Sequence, residues 1–465
     1  MGVQNVSTKD DSESGGVSWP LASLILINGL IGSGILNLPY SVHQAGGMLY
    51  ALAVQLVIVN VLYWSVTAMV WCSDLKQTQF YQDTVAAFFG SFGHNLCSCL
   101  MTFNCLMTTT TYAIAISEQL EQGMAIIFSL LGKSWVISGR QLILIAALAV
   151  ILPCCMVKNI DRLVYASGVA NATILLVLGI VIYEYENEDE TKVHMRTKPT
   201  HWTSLFLAIP GYTVAYMYDM TSVAVYGRLK QRSVVNFMKA SALSLGFVLV
   251  FYNLFSGVVY ATFGDKIHSN FMTNYRDKTV AVGVAQILYS FKLCLEYPVY
   301  QFIGWTALRT IATNIQNCCS SSASVNKDNA ATTTHDQLKA AETLQLLKPN
   351  GNGSCCSSCS CMISSPTCVW RLLSSVVWIS CTLLLSWVAK DIAVVMPVTA
   401  TVDQNFQFTF PGLCLLKALS ELEKSQIVKL RSIIPFLRCF GVFLIIYGTS
   451  ASLIVFIQFI YMHVS

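Results

Sequence analysis

The stretch Ile27-Asn28-Gly29-Leu30-Ile31-Gly32-Ser33-Gly34-Ile35-Leu36-Asn37-Leu38-Pro39-Tyr40 decides how the chain is read. It lies in the first apolar segment, 19–40, yet two asparagines, three glycines and a proline interrupt what would otherwise be a lipid-facing helix. Lipid-exposed backbone must pair its own polar groups, so irregular chain at membrane depth survives only inside protein or beside a cavity. Gly32 and Gly34 free the backbone to leave helical geometry and let a small ligand come close. An unwound turn then offers N–H groups to an anion and carbonyls to a cation. The segment reads as a substrate-binding broken helix, with Asn28, Gly29, Gly32, Ser33 and Gly34 lining the break. A small-residue packing face, which Gly29 and Gly32 approach in spacing, is the competing reading.

Around this segment the chain runs to 465 residues, 54% hydrophobic and only 11% charged, with mean hydropathy +0.58. So few charges exclude a soluble domain of this size. Apolar stretches of about 20 residues recur to the end of the chain, the signature of an all-α polytopic membrane protein whose first partner is the lipid bilayer. Eleven spans are read: 19–40, 48–72, 96–117, 142–157, 163–183, 202–226, 240–263, 280–306, 369–388, 392–416 and 436–462. The tenth is the weakest, because Asp403, Gln404 and Asn405 sit in its middle. A net charge of +4 points to no nucleic-acid partner. Most of the 17 cysteines fall in apolar segments, where Cys packs as a small hydrophobe. No nucleophile–base constellation and no metal motif is present, so neither an enzyme nor a resident cofactor is expected. A polar start leading straight into a full-length span argues against a cleavable signal peptide.

Basic residues orient the spans. With the tail 1–18 in the cytoplasm, the inside loops hold Lys76, Lys158, Arg162, Arg228, Lys230, Arg232, Lys239, Arg309, Arg371, Lys417, Lys424, Lys429, Arg431 and Arg438, and the outside loops hold fewer, as the positive-inside rule requires. The acidic run 184–190 then falls outside. The cytoplasmic segment 309–368, between spans 19–308 and 369–463, is rich in Ser, Thr, Asn, Gly and Cys and reads as a disordered loop. Its Cys355, Cys356, Cys359 and Cys361 are spaced too tightly for a standard zinc knuckle and suit lipid acylation just before the ninth span.

Ionisable residues inside a membrane are costly and mark function by default. Asp219 lies in the sixth span with no partner near it in sequence, some residues beyond Pro210-Gly211, which can kink that helix. Lys292 and Glu296 lie four apart in the eighth span, on one helix face, where an inert ion pair is the alternative to a functional one. Thr108 to Thr111 and Tyr112 carry hydroxyls toward a cavity, unless the threonines bond their own helix carbonyls. Thr109, Tyr112 and, from the sixth span, Tyr216 join the first-span residues as substrate-binding candidates.

At this point the chain resembles a known family. Residues 28–40 followed by Ala45-Gly46-Gly47 are similar to the opening of the sodium-coupled neutral amino acid transporters, in the amino acid/auxin permease group. Val150-Ile151-Leu152-Pro153, Tyr165-Ala166-Ser167-Gly168, Val225-Tyr226, Tyr260-Ala261-Thr262-Phe263-Gly264 and Tyr297-Pro298 fit in the same order. The likeness covers residues 19–308 well and the last three spans loosely. It implies an inverted-repeat (5+5) transporter fold with an eleventh transmembrane helix, the first repeat being 19–183 and the second starting at 202–308. It also implies a neutral amino acid substrate, glutamine-like among others, held between broken spans one and six, its carboxylate on first-span amides. A sodium ion between spans one and eight is implied too, with Asn28 matching the asparagine linked to it.

Two departures bear on that ion. Lys292-Leu293-Cys294-Leu295-Glu296-Tyr297 stands where relatives carry hydroxyls, and Asp219 stands where relatives often carry His. A fixed ammonium can replace sodium electrostatically, and Asp219 can carry a proton. Asn28, Asp219, Lys292, Cys294 and Glu296 are therefore the ion-coupling candidates, with Na+ or H+ as the ion and proton-linked or sodium-independent transport favoured. The function expected is secondary active transport of neutral amino acids in a plasma or endolysosomal membrane. The alternative is an amino-acid-sensing receptor with little flux, for which the short tail 1–18 offers little signalling surface. Eleven spans disfavour a seven-helix receptor.

Overall fold

Chain in a bilayer must close its own backbone hydrogen bonds, and the computed structural model answers with helix almost throughout. It describes residues 16–130, 132, 137–157, 168, 171–187, 194–202, 204–275, 279–323, 366–389, 391–424 and 433–464. Among them the helices run α1 (Trp19–Leu30), α2 (Leu38–Gln44), α3 (Met48–Lys76), α4 (Tyr81–Leu130), α5 (Gly139–Ala146) and α6 (Leu152–Cys155). Then come α7 (Ala172–Asn187), α8 (Ser204–Leu207), α9 (Ile209–Ala215), α10 (Asp219–Gly227), α11 (Val234–Phe263) and α12 (Val280–Ala323). The chain closes with α13 (Pro366–Ala389), α14 (Ile392–Gln404), α15 (Phe410–Lys424) and α16 (Ile434–Val464). Extended structure among the described residues is one parallel bridge, Val17 with Leu229, which pins the entry of α1 to the loop after α10.

Among the described residues six helices are long and apolar enough to cross a membrane: those of α3, α4, α11, α12, α13 and α16. The remaining spans read from sequence are short or interrupted, and each interruption has a local cause. The first breaks between α1 and α2, and the sixth between α9 and α10. The fourth contains a π turn at Ala147–Ile151 ahead of Pro153. The tenth contains another at Asn405–Thr409, just past Asp403 and Gln404, and continues to Lys424. The eighth runs on to Ala323, beyond residue 306 where the sequence reading ends it, with Pro298 inside. Gly90 (φ 65°) divides α4 into a short entry and a long helix that packs along α12.

Both flanks of the first break meet the rest of the core. α1 lies against α11 and α10, while α2 lies against α11, α9 and α3. A single apolar cluster joins Leu26, Leu30, Ile35, Tyr216, Tyr252 and Leu293, so the interrupted helices are held from all sides.

Candidate functional site: two interrupted helices and their polar braces

The sequence of the first break explains its shape. Ile31 (φ −82°, ψ 82°) and an extended Gly32 (φ −118°, ψ −154°) leave helical space, Ser33–Leu36 makes one 3-10 turn, and Pro39 falls in the first turn of α2, where its missing N–H costs nothing. Leaving the helix releases the carbonyls of Leu30, Ile31 and Gly32. Each finds a side-chain donor: Tyr252 Oη gives its proton to Leu30 O (2.7 Å), Lys292 Nζ to Ile31 O (2.7 Å) and Tyr289 Oη to Gly32 O (3.3 Å). The N–H groups of Ser33 and Gly34, first in their turn, have no backbone acceptor among the described residues. Carbonyls are thus capped while two buried amides stay available to an acceptor.

The second break lies beside the first. Tyr216 (φ −99°, ψ 20°), Met217 and Tyr218 (φ −146°, ψ 0°) separate α9 from α10, several residues past the Pro210-Gly211 kink expected from sequence. A Cβ at Gly34 would stand 2.6 Å from Ala215 Cα, so the two backbones touch where both helices have ended. Tyr252 spans the crossing, with its hydroxyl also 3.3 Å from Ala215 O. Tyr216 is buried, donates to Gln55 Oε1 (2.8 Å) and stands edge-on to Tyr252 at 5.4 Å.

Lys292 and Glu296 form the ion pair their spacing allows, 0% and 6% exposed. Lys292 therefore serves two acceptors, the Ile31 carbonyl and the Glu296 carboxylate. Tyr112 lies against Glu296 and stands edge-on to Tyr300 at 5.6 Å; its hydroxyl is 3.2 Å from where a Cβ on Gly32 would be. Cys294, between the paired residues, is buried. Asn28 Oδ1 accepts from Asn171 Nδ2 at 2.7 Å, and Gly29 faces Thr221. Lys292, Tyr112, Tyr216, Gly32, Ser33 and Gly34 thus gather around the paired breaks.

Thr109 differs. Thr108, Thr109, Thr110 and Thr111 each donate to the carbonyl four residues earlier, at 2.9, 2.8, 2.8 and 3.1 Å, and Thr109 Oγ1 also accepts from Trp378 Nε1 (3.1 Å). Its one O–H is spent inside its own helix. Asp219, solitary in sequence, opens α10 at 1% exposure and has company in space: Asp403 of α14 lies within reach of its charge. Tyr252, Tyr289 and Asp403 escaped the sequence reading as site residues. For Asp403 the signal was there, as the polar group that weakened the tenth span; for the tyrosines no local pattern exists. Cys355, Cys356, Cys359, Cys361 and Tyr165-Ala166-Ser167 lie outside the described residues.

Comparison with known proteins agrees with a transporter. The family model for transmembrane amino acid transporter proteins matches residues 15–454. The chain is similar to sodium-coupled neutral amino acid transporter 7 of Danio rerio, 24% identical over 426 residues, covering 90% of this chain and 83% of that one. It is also similar to solute carrier family 38 member 8 of Homo sapiens, 23% identical over 408 residues, covering 86% and 84%. Among solved structures the manganese transporter of Eremococcus coleocola aligns with a TM-score of 0.47 and 12% identity over 95% of this chain and 87% of that one, a likeness too slight to argue from. With nearly its whole length matched, the chain belongs to the transmembrane amino acid transporter protein family, a family of multi-pass membrane transporters and not of enzymes.

Proposed function

We propose that this protein carries neutral amino acids, glutamine-like ones among them, across a plasma or endolysosomal membrane by alternating access. In this reading the N-terminus is cytoplasmic, two five-span repeats of opposite topology rock about the paired breaks, and an eleventh helix stands outside them. The substrate carboxylate sits on the Ser33 and Gly34 amides, a helix-terminus anion site of the usual kind. Tyr112 and Tyr216 border it. Coupling is proton-linked or independent of sodium.

The observation that carries the ion reading is Lys292 Nζ at 2.7 Å from Ile31 O. A carbonyl released by a helix break is the oxygen a sodium ion would use; here the Lys292 amino group holds it, with Glu296 as its ion-pair partner. Asn28 Oδ1, the other oxygen a sodium ion would need, accepts from Asn171. Uptake of labelled glutamine and alanine into proteoliposomes, with sodium-free buffers on both sides and an imposed pH gradient, tests the reading. Uptake that persists without sodium and responds to pH is expected, and an amino acid amide should not compete. Strict sodium dependence with no response to pH would sink the coupling assignment, and competition by the amide would sink the carboxylate site.

A further inference from the structure

Asp219 and Asp403 are the least explained charges in the protein. Asp403, 0% exposed at the end of α14, accepts from Asn104 Nδ2 on Oδ1 (3.2 Å) and from Gln407 Nε2 on Oδ2 (2.5 Å). Asp219, 1% exposed, has both carboxylate oxygens buried with no side-chain donor among the described residues, its nearest donors being the backbone N–H groups of Asp219 and Met220. Neither makes an ion pair among the described residues, and each lies in the other's field. The titratable groups facing them are Tyr81, Cys97 and Cys105 of α4, Tyr218 beside Asp219, and Tyr300 of α12, all neutral in their ordinary forms. Two neighbouring carboxylates shut away from water with no cation cannot both stay ionised; like charges at one site hold a proton between them.

We propose that Asp219 and Asp403 form a proton site, the two carboxylates holding one proton between them. Amide N–H groups stabilise a carboxylate, and each member has some: those of Asn104 and Gln407 on Asp403, and the backbone of Asp219 and Met220 at the head of α10 on Asp219. Loading forms one O–H bond on the pair and breaks one on the hydronium ion that delivers the proton, leaving water. The site is also tied to the second break from both sides. Asp219 is the first residue after it, while Gln407, bound to Asp403, donates to Thr213 O (3.0 Å) just before it, and Gln404 donates to Thr213 Oγ1 (3.3 Å). Gln407 and Gln404 each keep a buried, unpartnered Oε1 beside this group. Unloading would leave two bare charges in a dry site, a state tolerable only when water enters, so the sixth span closes loaded and opens to release.

The proposal rests on proton-linked transport, and the test separates the two. Full-length protein in sodium-free proteoliposomes is given an inward proton gradient, and accumulation of labelled amino acid is compared for the native protein, Asp219→Asn and Asp403→Asn. Gradient-driven accumulation should fall tenfold or more in each variant. Thermal stabilisation of the purified variants by amino acid shows that they are folded. A native protein driven only by a sodium gradient would overturn both readings; proton-driven accumulation intact in both variants would overturn the acid pair alone. Infrared spectroscopy of the native protein needs no variant: a protonated-carboxyl band at neutral pH supports the site, and its absence overturns it.

Discussion

At the scale of single residues, the first break is a matter of unpaired carbonyls and of which side chains take them. Lys292 holds Ile31 O and Glu296 at once, so removing it orphans a buried carbonyl and a buried carboxylate together. Breaking a buried pair costs about 3–5 kcal/mol, whereas replacing both members by neutral ones costs far less. Lys292→Met should therefore lower the melting temperature sharply, and Lys292→Met with Glu296→Gln should recover most of the loss, as a double-mutant cycle on purified protein would reveal. Equal damage in the single and double variants would mean that the carbonyl, not the ion pair, sets the demand for the lysine. The two glycines need different handling. A Cβ at Gly34 strikes the backbone of Ala215, so any substitution there fails by packing alone. At Gly32 the added Cβ meets only the end of Tyr112, which can move a few tenths of an ångström. Gly32→Ala should keep the protein folded and raise the apparent KM for amino acid about tenfold, by crowding the amides where we place the substrate.

At the scale of elements, Tyr252 on α11 is the brace common to both breaks, with its hydroxyl at 2.7 Å from Leu30 O and 3.3 Å from Ala215 O. An unsatisfied buried carbonyl costs about 1–3 kcal/mol. Tyr252→Phe keeps the ring packing against Tyr216 and removes only that bond. The expected outcome is a melting temperature lower by several degrees and hydrogen exchange rising selectively in 27–37 and 211–219; an even rise across the whole chain would deny the brace its local role.

At the scale of the whole molecule, one carboxylate ties segments far apart in sequence. Asp265, just past α11, has His43 of α2 at 3.1 Å, His194 at 2.8 Å and Arg196 at 3.2 Å, and Arg196 N donates to Tyr260 Oη (3.0 Å). The chain at 196–199 lies where side chains on Gly46 (φ 88°) and Gly47 (φ 122°) would otherwise stand, so it straps the end of α2 to the end of α11. Burial, with the Arg196 guanidinium nearby, holds the His43 imidazole below its ordinary range, so it gains charge beside Asp265 only in acid, which strengthens the strap in the native protein. With Asp265→Asn the same charge stands next to Arg196 with nothing to balance it. The variant's loss of thermal stability should thus be larger near pH 5.5 than near pH 8, and a loss independent of pH would assign the strap to packing.

Sequence alone determined what depends on composition and on local backbone chemistry. An all-helical membrane protein follows from apolar stretches whose backbone must pair with itself, and the first break follows from Gly32, Gly34 and Pro39, because those residues misbehave in any helix. The Lys292–Glu296 pair was legible for the same reason: four residues on a helix is a distance. What required the tertiary structure were the partners. Tyr252, Tyr289 and Lys292 meet the freed carbonyls of 30–32 from more than 200 residues away, and no periodicity records such a meeting. Thr109 looked like a cavity hydroxyl until its own helix claimed it. Asp219 looked alone because sequence counts neighbours along the chain, whereas a charge at membrane depth is governed by whatever the fold brings beside it. Here that is Asp403, from a span whose polar residues had seemed only to weaken it.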